Sequence, residues 1–373
     1  MGKFGKKHTI SLNPLDYNIC LAGIGGIGKT TLAKEVAEKL VGEEGYIHFN
    51  IGLESGVDAI QNIISEDIED WAKLEEVTDD IIENKASDYP ELRVIIWDSL
   101  DELVNLAETE TIRVYNRKNP DKKIDSILQA FGGFGKGNDY AINLVHEVIE
   151  NLKKVGVHSF IIAHTKRSDI TDAVTQQTYS QLTADVSQRY FNSIKNKMDI
   201  VGVGYIDRVI VKENLGRKNI VTKKEETINR VAEETRVICF RDQENYSVDS
   251  KSRFAQIEPK IPFDSDAFIK AIEEAIKVEA SKSNKSFEDM KKEQEEKDAD
   301  AENKATEFSK SAKLNKIDEE KNEELLDSIK KRYQSMKETE KADFKNLMKE
   351  LGVESFKDAS IIPTASLEKL SEF

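Results

Sequence analysis

Cysteine is scarce in this chain: Cys20 and Cys239 are the two in 373 residues. Both sit in apolar, strand-like runs, which reads as buried thiols in a reducing compartment and excludes a disulfide framework. There is no C-x-x-C pair and no histidine-rich cluster, so no zinc site is expected. Long apolar runs are missing as well. Nothing approaches the roughly 18 residues that a membrane span needs. The basic stretch at residues 1–14 has no apolar run after it, unlike a secretion signal. A cytoplasmic protein that does not enter a membrane is expected. Positive charge is in deficit, with 55 Lys and Arg against 70 Asp and Glu and a net charge of −15. That excludes a blanket of positive charge coating nucleic acid, though not a local basic groove. Residues 281–310 lack Ile, Leu, Val, Gly and Pro altogether. They cannot build a core and read as a charged linker or an exposed helix.

Glycine is where the information is. Gly23-Ile24-Gly25-Gly26-Ile27-Gly28-Lys29-Thr30 fits G-x-x-x-x-G-K-[ST] at every fixed position. An apolar run from Tyr17 to Ala22 leads in, and a helix-forming run from Thr31 to Leu40 leads out. Strand, glycine loop and helix together make a phosphate-binding loop. Glycines let backbone N–H groups converge on phosphate oxygens, and the helix adds its positive end. Lys29 is expected to reach the β- and γ-phosphates, and the Thr30 hydroxyl to bind Mg²⁺. Residues Gly23 to Thr31 are therefore the expected ATP contacts.

Further apolar runs follow at 45–50, 92–98 and 157–163, with helical stretches between them. Continuous apolar strands alternating with helices imply a right-handed, doubly wound, mainly parallel α/β sheet. Residues 57–86 read as mostly helical. Residues 199–211 and 235–241 read as antiparallel strands added at one edge. The loop at 132–139 reads as mobile, with a helix from about 141 to 154.

Asp98 ends the third run, where a carboxylate would hold Mg²⁺ through water; the alternative is a cap on the next helix. Many hydrolysing phosphate-loop enzymes carry a glutamate directly after this acid, and here that position is Ser99. The general base must come from elsewhere. Glu54, just past the end of the second strand, shares the same sheet edge and is the first candidate; Glu102 is the reserve. His164, ending the next strand, is placed to sense the γ-phosphate.

These features resemble the RecA-like recombination ATPases: the loop at Gly23 to Thr30, Glu54, Asp98-Ser99-Leu100 and the Ala163-His164 pair. They are most similar to compact phage members associated with single-strand annealing proteins. Those members also carry a GxGKGxD-like loop, matched by Gly133 to Asp139. The resemblance covers roughly residues 10–260 and implies a RecA-like sheet. Lys251-Ser252-Arg253-Phe254-Ala255 is similar to the K-N-R-F-G motif of RadA-type ATPases, departing from it at Ser252 and Ala255. It implies that Lys251 and Arg253 reach a neighbour's γ-phosphate, so that sites are completed in trans in a homo-oligomer. The resemblance also implies single-stranded DNA contact through the loop at 166–197. Lys166, Arg167, Arg189, Tyr190 and Lys195 are its expected contacts, with Phe191 and Lys197 beside them.

The expected arrangement is an ATPase core at 1–262, a helix beside it at 263–280, the charged segment at 281–312 and a small helical module at 313–373. The expected activity is Mg²⁺-dependent, DNA-stimulated ATP hydrolysis in recombination, annealing or replication. From its charge, the acidic tail is expected either to limit non-specific DNA contact or to recruit a protein partner such as a single-strand-binding or annealing protein. The rival reading is an ATP-switched loader or scaffold without DNA contact. A small-molecule kinase is a poorer fit, since no arginine-rich lid is evident.

Overall fold

The computed structural model describes residues 10–53, 56–172, 175–218, 225–242, 247–282, 287–315, 319–353, 356 and 362–373. Its centre is a sheet of ten strands: β1 (Ile19–Gly23), β2 (Tyr46–Ile51), β3 (Ser65–Ile68), β4 (Val94–Asp98), β5 (His158–Thr171), β6 (Thr178–Ala184), β7 (Ile200–Lys218), β8 (Glu225–Cys239), β9 (Lys251–Ser252) and β10 (Lys260–Pro262). The main order is β10-β8-β7-β1-β5-β4-β2-β3. From β7 to β3 every pair is parallel, whereas β8 and β10 join antiparallel.

The helices that cover the sheet are α1 (Lys29–Val41), α2 (Trp71–Asn84), α3 (Leu100–Lys118), α4 (Lys136–Lys154), α5 (Gln188–Lys197) and α6 (Ser265–Ser281). Both faces are buried, which is why the central strands read as unbroken apolar runs. Side chains alternate across the sheet. Cys20, Ala22, Ile95, Trp97, Ile161 and Ala163 join one core, whereas Ile19, Leu21, Val94, Ile96, Phe160 and Ile162 join the other. The second core is closed by Leu32, Ala33 and Val36 of α1 and Phe268, Ala271, Ile272 and Ala275 of α6. Asp264 starts α6 by accepting from the Ala267 N–H, a side-chain cap on an otherwise orphan donor.

Two differences from the expected order bear on the site. The stretch read as helical at 57–86 contains β3, whose sequence Ser-Glu-Asp-Ile has no apolar run because it is an edge strand. The segment read as purely antiparallel at 199–211 begins as a parallel neighbour of β1, with Ile19 opposite Ile200 and Gly23 opposite Gly204. Beyond that register β7 continues alone, paired only with β8, as a long hairpin arm. β5 does the same with β6 past His164. The strand carrying the phosphate loop therefore stops between two strands that run on.

After α6 come α7 (Phe287–Asn315), α8 (Glu319–Ser335), α9 (Glu338–Glu350) and α10 (Thr364–Glu372). The charged segment is thus a 29-residue helix, and it does not stand free. Ala305, Phe308 and Ala312, at three- and four-residue spacing, lie on the core. Lys154 sits 4.8 Å from the centre of the Phe308 ring. Leu326, Ile329, Phe344, Val353, Ile362, Leu367 and Leu370 form a separate small core among the last helices. Among the described residues, no helix is long and apolar enough to cross a membrane.

Candidate active site

β1 delivers the loop and α1 receives it. Gly26 and Gly28 have φ of 72° and 105°, left-handed values that favour glycine. Buried Ile27 anchors the loop on the core side. Lys29 is buried and its Nζ donates to the Ile24 carbonyl at 3.2 Å, so the side chain lies across the loop. Thr30 Oγ1 donates to Asp98 Oδ2 at 2.6 Å. The two residues expected to share a metal therefore meet directly, although 68 positions apart.

Strand register assembles the rest. Gly23 stands beside His164 on β5 and Gly204 on β7, while Asp98 stands opposite Asn50 on β2 and Ile162 on β5. Loop, acid and histidine share the C-terminal edge of one parallel sheet, the usual ligand edge of such folds. His164 Nδ1 lies 3.0 Å from Asp101 Oδ2, and its backbone N–H donates to Asp101 Oδ1 at 3.3 Å. Burial alone would raise the Asp101 carboxyl; the hydrogen bonds and charge of His164 outweigh it and hold the group below its ordinary value. Asp101 is thus the group that orients His164.

The sign of the resulting pH dependence follows from that depression. A carboxylate depressed on folding contributes stability that is complete above its unfolded value of 3.8 and is lost as pH falls through the lower folded one. Asp101→Asn is expected to flatten that acid-side loss. Thermal melts from about pH 5 downward, compared between variant and parent, measure it.

Glu54, the expected base, lies outside the described residues. The turn that leads to it is visible: Gly52 and Leu53 have φ of 75° and 60°. A Cβ at Gly52 would come within 2.9 Å of Glu102 Cγ, so the reserve acid packs against the end of β2.

The expected DNA loop is not a loop. Residues 165–171 and 178–184 are the β5–β6 hairpin, and 188–197 are α5. Lys166 and Arg167 are exposed on the hairpin, Lys166 paired with Asp185 at 3.3 Å. The other three are committed within the chain. Tyr190 is buried, donates to Glu108 at 2.7 Å and accepts from Asn138 at 2.9 Å. Arg189 pairs with Asp139, and Lys195 with Asp249. Phe191 is buried too, and Lys197 pairs with Glu150 at 2.8 Å. The amphipathic spacing that buries Tyr190, Phe191 and Ile194 is helical, and their burial removes the rings from any stacking role. The glycine loop at 132–135 leads straight into α4 at Lys136, and carries Phe134 fully exposed.

Lys251 and Arg253 lie far from the loop. Lys251 on β9 is opposite Val201, and Ser252 opposite Ile200, at the start of β7 and hence at the other edge of the sheet. Lys251 Nζ donates to the carbonyls of Lys195 and Met198 at 2.7 and 2.9 Å, closing the C-terminal end of α5. Burial and then the charge of Arg253 push its ammonium below the ordinary value. Arg253 Nε pairs with Asp199 at 2.9 Å and remains 58% exposed.

Several residues at the site escaped the sequence reading. Arg236 on β8 donates to the Ile27 carbonyl at 3.2 Å. Phe263 braces the loop from below: a Cβ at Gly204 would lie 2.6 Å from its ring. Gly202-Val203-Gly204 inside a strand was the available signal, since glycine there marks a close approach. His48 and Asn50 on β2 also face Asp98.

The donors suit a hard divalent cation. Thr30 and Asp98 are oxygen ligands, and Asn50 Oδ1, across from Asp98, is buried without a hydrogen-bond partner. An orphan acceptor there fits a metal-bound water. Among the described residues no group of three His, Cys, Asp or Glu could cage a metal. Phosphate and water must then complete the shell, as magnesium commonly requires.

Residues 15–254 match the protein family described as AAA domain. No curated protein shows a significant match to the chain.

Proposed function

Because the chain belongs to the AAA domain family of phosphate-loop ATPases, we propose that it is a Mg²⁺-dependent ATPase that works on single-stranded DNA as a homo-oligomer, in the manner of the RecA-like recombination ATPases. Lys29 and the loop amides would hold the phosphates, and Thr30 and Asp98 the magnesium, which when bound supplies positive charge to the phosphate oxygens. Glu54 is the proposed general base and His164 the sensor.

One observation carries the DNA reading. β5 runs without a break from His164, beside the phosphate loop, into a hairpin that exposes Lys166 and Arg167. A change at the γ-phosphate felt by His164 is therefore passed along one strand to an arm that exposes two cations, Lys166 and Arg167, at its base. Phe134 on the glycine loop adds an exposed ring of the kind that stacks on bases. Recombination, annealing or phage replication is the setting the resemblance implies. The placement of Lys251 and Arg253 on the far edge leaves a neighbour's pocket as the one they could serve.

The test is the ATPase rate per subunit across a range of protein concentrations, with and without single-stranded DNA. Both are expected to raise it. A rate indifferent to both sinks the reading.

A second reading keeps the ATPase and drops the DNA: a loader or scaffold whose two arms grip a protein. It draws support from the intrachain pairing of Arg189, Tyr190 and Lys195. Concentration-dependent turnover with no DNA stimulation and no gel shift at low salt would favour it.

A further inference from the structure

His48 lies in the middle of β2 and is wholly buried. A buried imidazole is costly unless both ring nitrogens are satisfied. Here both are. Nδ1 is 2.9 Å from Ser65 Oγ on β3, and Nε2 is 3.3 Å from Asp98 Oδ2 on β4. The oxygen it meets is the one that accepts from Thr30. With the hydrogen on Nε2, the ring donates to Asp98 while Nδ1 accepts from the Ser65 hydroxyl. A polar chain therefore runs Ser65, His48, Asp98, Thr30 across three strands into the phosphate loop. Asn50, two residues on and on the same face, donates to Asp67 at 2.7 Å and keeps its buried Oδ1 unpartnered beside Asp98.

We infer that His48 is a positioning residue for magnesium: it fixes Asp98 Oδ2 so that the second carboxylate oxygen is aimed at the metal's water shell, with Ser65 setting its tautomer. The inference rests on the proposed reading that this pocket takes Mg²⁺ and a nucleoside triphosphate. Its physical basis is that a carboxylate with one oxygen held by two donors loses its freedom to rotate, and a metal ligand that is held in advance costs less to order. A histidine in a central strand with no link to the site would have no reason to meet Asp98, the acid bonded to Thr30 of the loop. His48 touches neither nucleotide nor metal, so its effect must appear in the metal dependence and not in nucleotide binding itself.

The experiment is equilibrium binding of a fluorescent ATP analogue to the full chain, titrated with MgCl₂, with a melting curve for each variant. In the parent protein Mg²⁺ is expected to tighten binding. In His48→Leu the half-saturating Mg²⁺ should rise roughly 10- to 100-fold, the usual cost of losing an outer-layer partner, while metal-free binding stays unchanged. His48→Gln, whose amide nitrogen can reach the position of Nε2, should recover most of the loss. Ser65→Ala should move the midpoint the same way by less. An unchanged Mg²⁺ midpoint in His48→Leu overturns the inference, as does an equal loss of binding with and without metal. If His48→Leu does not fold, Ser65→Ala decides: a shift supports the inference and no shift overturns it. A parent protein that binds no analogue at any Mg²⁺ concentration would instead overturn the reading of the pocket.

Discussion

Lys29→Ala is expected to reduce ATP turnover by roughly 10²- to 10³-fold, about 2.7–4 kcal/mol, the cost of deleting one preorganised donor from a developing negative charge. The reason is local. Lys29 opens α1 and folds back over the loop to the Ile24 carbonyl, so its ammonium already occupies the space above the glycines. Alanine is a good helix former at the start of α1, and the left-handed turns at Gly26 and Gly28 are positions that glycine itself permits, so the loop path should be kept. Thr30 and Asp98 remain bonded. Activity should therefore collapse while the melting temperature moves little, and analogue binding should weaken with it. Steady-state ATPase rates beside thermal melts check both halves. A variant with parental turnover would remove the phosphate loop from the mechanism, and with it every role assigned to Asp98 and His164.

The part of this site that the sequence discloses is the part made of contiguous signals. Strand, glycine loop and helix declare themselves in 18 residues from Tyr17 to Lys34. Asp98 and His164 each end an apolar run, and ends of parallel strands share an edge. What stays hidden is set by pairing between distant segments. His48 looks like a stray polar residue until β2 is laid between β3 and β4. Arg236 and Phe263 come to the loop only because β7, β8 and β10 fold back beside β1. β3 is unreadable because an edge strand four residues long needs no apolar alternation. The 166–197 stretch misleads for the opposite reason. Cations and aromatics read alike on a DNA-binding loop and on an amphipathic helix, and the burial of Tyr190 and Phe191 shows the second. Helix α7 hides its contact because only Phe308 among its core residues is large, and the flanking Ala305 and Ala312 hardly mark a sequence.

The largest effect expected outside the loop is at Arg253, and it is expected between subunits. In one chain Arg253 sits at the sheet edge opposite the phosphate loop, held by Asp199 and by the Asn196 carbonyl. No side-chain motion takes it to its own pocket, because β1 alone sets five residues of extended strand between the two edges. If it acts on phosphate, the phosphate belongs to a neighbour. A cation supplied in trans to a transferring phosphate contributes roughly 10³- to 10⁵-fold, so Arg253→Ala should be nearly inactive alone. Lys251 is the less informative position. Its ammonium closes the end of α5 through three carbonyls, and alanine there would loosen that helix whatever its role in catalysis. Mixing resolves the matter. Arg253→Ala keeps an intact loop, and Lys29→Ala keeps an intact arginine. In a randomly mixed head-to-tail assembly, about one interface in four pairs the two intact halves. Two dead proteins combined in equal amounts should then recover about a quarter of the parental rate, with Arg253→Lys recovering less than Arg253 itself because a point charge lacks the planar fork. Recovery that vanishes on dilution would mark assembly as the cause. An Arg253→Ala protein with parental turnover, or a mixture no faster than its parts, would leave each site complete within its own chain and return Arg253 to the plain role of pairing Asp199.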